Sequence, residues 1–134
     1  MTIQLSVAAR NARLDAFETA AGATAKLQLR SGAQPADCST AASGTLLCEI
    51  TLPADYLAAA SAGSKAKLGT WSGTGAAAGT AAHFRIVDNA GTTCHMQGSV
   101  TATGGGGDMT LDNTSIAASQ AVSVTTFTLN EANA

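Results

Sequence analysis

The sequence predicts a mainly β fold, an antiparallel β-sandwich or jelly roll with a short N-terminal helix. Three observations predict it. From Leu27 onward, apolar residues recur at every second position in successive short segments, the period of a half-buried strand. Gly-, Pro-, Asp- and Asn-containing turns separate those segments. More than half of the 134 residues are Ala, Thr, Ser or Gly, so bulk is spread thinly along the chain. Short strands with frequent turns favour a layered all-β arrangement. The expected organisation is an N-terminal helix or arm over 1–22 and a single β-sandwich domain over 23–134.

Residues 6–21 read as the helix. Ser6 is placed to cap its first turn, because a Ser hydroxyl accepts a free backbone N–H there. Val7, Leu14, Phe17 and Ala21 fall near one face at helical spacing. Arg10 and Arg13 are expected to project outward. Gly22 supplies the left-handed residue that ends a helix. Leu27 and Leu29 then alternate with Lys26, Gln28 and Arg30 as a first strand. Ser31 to Ser43, with Gly32 and Pro35, reads as a loop. Leu46, Cys48, Ile50 and Leu52 share one face of a second strand, which Pro53 stops by removing a ladder donor.

Pro53 to Ala60 is expected to form one or two helical turns, since Pro suits a first helical turn. Lys65 to Trp71 reads as a strand, and Ser72 to Gly79 as a surface loop of little side-chain bulk. Phe84 and Ile86 alternate with His83 and Arg85. Asp88-Asn89-Ala90-Gly91 is a turn. Cys94, Met96, Gly98 and Val100 are expected on one face. Gly104 to Gly107 reads as a hairpin turn, because only Gly enters positive φ freely at every position. Met109 and Leu111 complete a three-stranded meander over 83–112. In Gln120 to Leu129, Val122 and Val124 have one parity and Phe127 and Leu129 the other. A bulge near Thr125 would reconcile them, as would burial of both faces. The expected count is six or seven strands, with no internal repeat.

Lys and Arg number 7 and Asp and Glu 9, for a net charge of −2. The basic residues are scattered, with Lys65 and Lys67 a close pair. A nucleic-acid partner needs a clustered basic footprint, so none is expected. No apolar run reaches membrane-spanning length, and no membrane partner is expected. The start, Met1-Thr2-Ile3-Gln4-Leu5, lacks the basic end and apolar run of a secretion signal, which points to synthesis in a cytoplasm. Twenty-eight large apolar residues, each contributing roughly 1.5–3 kcal/mol when buried, support one modest core. Self-association would reinforce it.

Catalytic, cofactor and metal sites are expected to be absent, and the chain is not expected to be an enzyme. His83, Cys94 and His95 have metal-ligand chemistry, but adjacent strand residues face opposite ways and a four-ligand zinc site needs more donors. Asp108 and Asp112, with Asp88, read as turn and solvent-face acids rather than a calcium loop. The glycine run lacks the Lys-Ser/Thr of a phosphate loop. Three cysteines do not make a disulfide scaffold. Cys38 and Cys48 are spaced to close a short loop, which a cytosolic origin disfavours. Tyr56 and Trp71 read as packing or interface residues, with sugar stacking as the rival.

The start, Ile3-Gln4-Leu5-Ser6-Val7-Ala8-Ala9-Arg10-Asn11-Ala12-Arg13-Leu14-Asp15-Ala16, resembles a set of small tailed-bacteriophage proteins. So does His83 to Ile116, with Thr92-Thr93-Cys94-His95-Met96-Gln97-Gly98 and the four glycines. Ser64-Lys65-Ala66-Lys67-Leu68-Gly69-Thr70-Trp71 resembles them too. The resemblance implies a virion structural protein, most like a capsid decoration or cement protein. It implies a homo-oligomer, dimer or trimer, that binds the major capsid protein on the outer capsid surface after synthesis in the host cytoplasm. The contact residues expected for that role are Val7, Leu14, Phe17, Pro35, Tyr56 and Trp71. Deleting 1–21 is then expected to abolish shell binding and leave the β domain folded. The alternatives are a head–tail, tail or fibre component, and a carbohydrate-binding module for host adsorption.

Overall fold

The computed structural model describes residues 3–131. It is mainly β, with one helix ahead of the strands. Helix α1 (Val7–Ala21) begins where Ser6 Oγ accepts the Ala9 N–H at 3.1 Å. Its last helical bond runs from Gly22 N–H to Glu18 O at 2.9 Å, and Gly22 then turns the chain away at φ 83° and ψ 168°, a conformation open to glycine. Leu14 and Ala21 are buried and Phe17 packs on the core, but Val7 stays exposed. Arg10 does not project outward. It lies half-buried against the β body and donates to Glu131 O at 3.2 Å.

Eleven strands follow among the described residues. Strands β1 (Lys26–Arg30), β2 (Leu46–Thr51), β6 (His83–Val87), β7 (Cys94–Ala102) and β8 (Met109–Leu111) form a five-stranded sheet in the order β2-β1-β6-β7-β8. Strand β4 (Trp71–Thr74) pairs with β10 (Ala121–Val124), β3 (Ser64–Ala66) with β11 (Thr128–Asn130), and β5 (Gly79–Thr80) with β9 (Ser115–Ile116). Isolated bridges Cys48–Gly75 and Thr110–Thr126 tie the β4–β10 region to both edges of the large sheet. The sheet therefore curls round the core. Four aromatic rings run through that core in series. Tyr56 to Trp71 is 6.3 Å between centroids, Trp71 to Phe127 is 5.6 Å, and Phe127 to Phe84 is 5.6 Å.

Five local expectations are corrected. Pro53–Ala60 is not helical. Its segment is irregular, because the N–H groups of Tyr56, Leu57 and Ala60 donate to carboxylates on α1 instead of to carbonyls one turn back. Lys65–Trp71 is not one strand, since Gly69 at φ 73° breaks it between β3 and β4. The low-bulk stretch after Trp71 begins in β4 and ends in β5, with Gly73 close against Ile50 and Cys48 where a Cβ would crowd them. The parity change in 120–129 is a change of partner. β10 pairs with β4 and β11 with β3, and exposed Thr125 and Thr126 make the step.

The fifth correction concerns the glycine run. β6 and β7 are antiparallel as expected, but β7 and β8 are parallel, with Val100 opposite Met109 and Ala102 opposite Leu111. The sheet is therefore mixed. A parallel connection normally needs a long crossover. Here residues 103–108 double back along β7 instead. Gly104 and Gly106 reverse the chain at φ 86° and 81°. Gly105 and Gly107 lie so close to Thr101 that a Cβ would sit 2.7 and 2.9 Å from its side chain. Asp108 then accepts the Ser99 N–H at 2.9 Å, which sets the parallel register.

Candidate functional site

Two regions carry the chain's chemistry, a covered polar face on the large sheet and the docking surface of α1. The first follows from strand register. Leu27, Leu29, Phe84 and Ile86 point into the core, so Gln28 and Arg85 point outward. Glu49, Gln28, Arg85 and Gln97 stand opposite one another across four strands. Gln28 Nε2 donates to Glu49 at 3.0 Å, and Arg30 Nε donates to Gln28 at 3.1 Å. The middle of this row, Gln28 and Arg85, is buried, while Glu49 and Gln97 at its ends are half-buried. Residues 31–45 fold over it as a flap.

Side chains of the sheet hold the flap by its main chain. Arg85 donates to Cys38 O at 2.8 Å and to Thr40 O at 2.9 Å, and Gln97 Nε2 donates to Pro35 O at 2.8 Å. His83 Nδ1 lies 3.0 Å from Gly32 O. The base is pinched where Ser31 N–H meets Thr45 O at 3.1 Å and where Ser31 Oγ accepts the Thr45 N–H at 3.0 Å. A Cβ on Gly44 would run into the Ser31 carbonyl. Beneath the flap is a cavity of about 190 Å³, lined by Arg30, Arg85, Thr40, Thr92 and the two cysteines 38 and 94 among others. Burial, with Arg30 and Arg85 nearby, pushes the His83 imidazole below its ordinary pKa despite the Gly32 contact.

A β-bulge places Cys94. Ile86 faces Met96, but Val87 faces Cys94, so His95 is the extra residue. Cys94 is therefore turned off the Met96 face where alternation put it, and onto the flap side. There its Sγ lies 2.8 Å from Cys38 Sγ. Cys48 is fully buried on the core side, beside Gly73, so the Cys38–Cys48 loop is not formed. Burial, followed by the contact with Cys94, pushes the Cys38 thiol up to about 11. At neutral pH it is protonated.

The helix docks through polar keys. Asn11 Oδ1 accepts the Gly63 N–H at 2.9 Å, and Asp15 Oδ1 accepts the Ala60 N–H at 3.1 Å. Glu18 Oε1 accepts both Tyr56 and Leu57 N–H groups at 3.1 Å. These residues follow one another at helical spacing and face the 53–66 segment. Lys65, only 3% exposed, lies between Asp15 at 2.8 Å and Glu18 at 3.1 Å and donates to Ala58 O at 2.9 Å. Burial opposes the Lys65 ammonium, but its hydrogen bonds to Asp15 and Glu18 prevail and raise its pKa. The same contact with Lys65, with the Ala60 N–H, lowers that of Asp15.

Most of the residues expected at a contact surface are inside. Tyr56 and Trp71 have no exposed surface, so neither ring is open to a partner or to a sugar. Trp71 Nε1 is satisfied internally by Leu68 O at 3.1 Å. Leu14 is buried, Pro35 is buried within the flap itself, and Phe17 packs on the core. Val7 alone of the six is exposed, at 48%, and Ile3 is 83% exposed four residues before it. His83 pairs with Ser99 while Val87 pairs with Cys94, so His83 and the Cys94–His95 dipeptide lie at opposite ends of β6 and β7. Asp88 accepts the Thr92 and Thr93 N–H groups at its own turn, and Asp108 closes on Ser99. Among the described residues no group of three His, Cys, Asp or Glu gathers as a metal site.

The flap and the helix keys escaped sequence reasoning because they join residues far apart in the chain. The one available signal was the cluster of alternating polar residues opposite apolar ones on β1 and β6. No family model, curated protein or solved structure matches this chain.

Proposed function

We propose that this chain is a capsid decoration protein of a tailed phage, which binds the outer shell as a homo-oligomer and bridges major capsid proteins. The observation that carries this reading is the arm. Val7 opens a helix that Asn11, Asp15 and Glu18 key to the body, Ile3 lies four residues before it, and both are exposed and apolar. Val7, carried on the docked helix, loses little conformational entropy when a partner buries it. The fold suits the role. The large sheet and the β4–β10 pair facing it are read as a β-sandwich, although the parallel β7–β8 pair departs from jelly-roll pairing. Weak contacts of this kind, repeated over a shell by a multivalent oligomer, sum to strong retention.

The test has two arms. Purified particles should contain the chain in copy number comparable to the major capsid protein. A copy number of only a small fraction of that would instead favour the head–tail or fibre reading. The double variant Ile3→Asp, Val7→Asp should fold normally and lose on the order of a hundredfold in affinity for undecorated shells, from the apolar contact removed. Unchanged binding, or absence from particles, would overturn the proposal. Deleting 1–21 is the wrong experiment, since it strips the acceptors from Tyr56, Leu57, Ala60 and Gly63 and uncovers Lys65.

A further inference from the structure

We propose that Cys38 and Cys94 form a reversible intramolecular disulfide that latches the 31–45 flap onto β7. The inference is independent of the decoration reading. The two sulfurs lie 2.8 Å apart, although the residues are 56 positions apart in sequence. A disulfide has S–S of about 2 Å, so closure needs a side-chain shift on the order of 1 Å. Both cysteines are held for it from the main chain. Arg85 pins the Cys38 carbonyl at 2.8 Å, and the bulge at His95 turns Cys94 to the flap side. Without that extra residue, strand alternation would point Cys94 away from Cys38. Arg85, His83 and Gln97 hold the flap by hydrogen bonds, and the covalent link adds the one attachment that water cannot replace.

The oxidant is a low-molecular-weight disulfide such as oxidised glutathione. One cysteine thiolate attacks its S–S bond and releases one glutathione thiolate, leaving a mixed disulfide. The second cysteine attacks that mixed disulfide at the protein sulfur and releases the other glutathione. Two protein S–H bonds and one glutathione S–S bond are exchanged for one protein S–S bond and two glutathione thiols. The protons lost by the protein end on those thiols. Because burial, then the Cys94 contact, raises the Cys38 thiol to about 11, closure quickens as the pH rises. Reduction by excess thiol reopens the latch.

The test uses the full chain, incubated with oxidised glutathione, quenched in acid, then alkylated in denaturant without reductant. The expected product is monomeric, lighter by two hydrogens before alkylation, and takes up one alkyl group, on Cys48. Chymotryptic cleavage after Leu46 or Leu47 separates Cys38 from Cys48, and the Cys38 peptide should be joined to the Cys94 peptide. The apparent melting temperature should rise by about 10 °C on oxidation and fall back with dithiothreitol. The Cys38→Ser variant should show no such rise. Three alkylated cysteines, a persistent glutathione adduct, a link through Cys48, a link between chains, or an equal rise in Cys38→Ser would each overturn the proposal.

Discussion

Glu18→Ala tests whether a single carboxylate holds the helix to the β body. The substitution removes the acceptor of two main-chain donors, the N–H groups of Tyr56 and Leu57, both at 3.1 Å. These residues are 0% and 1% exposed, so their N–H groups have little access to replacement water. Hydrogen bonds to a charged acceptor contribute about 1.5–3 kcal/mol each. Glu18 keeps some solvent access, with 19% of its side chain exposed, which favours the lower end of that range. Lys65 retains Asp15 and Ala58 O, so loss of its ion pair with Glu18 adds under about 1 kcal/mol. Alanine returns a few tenths of a kcal/mol, as about the best helix former. The expected loss is about 3 kcal/mol, or about 10 °C in melting temperature for a chain of this length. Trp71 is the sole tryptophan, fully buried and in edge contact with Tyr56, so its emission in urea reports the transition directly. Glu18→Gln keeps an acceptor and should cost only about 1 kcal/mol. Arg13→Ala breaks an ion pair whose arginine is 61% exposed and should cost under about 0.5 kcal/mol. An Ala variant within about 1 kcal/mol of the parent, or a Gln variant as damaging as Ala, refutes the reasoning.

Gly105→Ala should destabilise by about 1–3 kcal/mol, because its Cβ would meet Thr101 at 2.7 Å and the doubled-back loop has no room to give. Combining it with Thr101→Ala should recover part of that loss in the same urea titration; no recovery would mean the close approach is not what glycine serves. Stability should also depend on pH at both ends. Hydrogen bonds from Ser39 and Thr40 hold Asp37 below the ordinary carboxylate range, and those from Thr92 and Thr93 do the same for Asp88. A depressed folded pKa contributes stability above the unfolded value and loses it as pH falls through the folded one. His83, also depressed, adds an earlier decline below the ordinary histidine pKa, which His83→Gln should remove. Lys65 is raised, so its contribution holds below the ordinary lysine pKa and disappears as alkali passes its folded value. A urea midpoint that stays constant from neutral pH into the carboxylate range would contradict these assignments.

What the sequence discloses is what local chemistry determines. The caps at Ser6 and Gly22, the alternation of Leu27 with Leu29 and of Phe84 with Ile86, and the turn at Asp88 all depend on near neighbours. What it conceals depends on partners far along the chain. Pro53–Ala60 looks helical until Glu18 and Asp15 claim its donors from about forty residues away. The 120–129 segment looks like one strand until its two halves find different partners. Cys94 is misplaced by one extra residue, which reverses the face of everything beyond it. Tyr56 and Trp71 look like a contact surface because a chain with few aromatics draws attention to each. The modest core needs that bulk inside, and there the rings pack in series from Tyr56 to Phe84.

The acids show how so uncharged a chain holds irregular segments in place. Asp15, Glu18, Asp37, Asp88 and Asp108 all accept main-chain N–H groups, at the 53–60 segment, the flap, the β6–β7 turn and, for Asp108, at Ser99 of β7 beside the glycine loop. All but Ser99 lie where regular pairing fails, and an N–H without a strand or helix partner must find another acceptor. A carboxylate serves better than a carbonyl there, because its charge strengthens the bond and it accepts several donors at once. Large apolar side chains would do the same work by burial, but the chain has few of them and spends them on one core. The surface that remains is made largely of small residues over a rigid frame. Its loops are fixed by acids that bond to main-chain N–H groups while staying exposed or half-buried, and Ile3 and Val7 are exposed apolar residues at its start. If the proposed decoration role holds, a body built this way would meet its partner with these loops already ordered, so that little of what contact gains would be lost again to ordering.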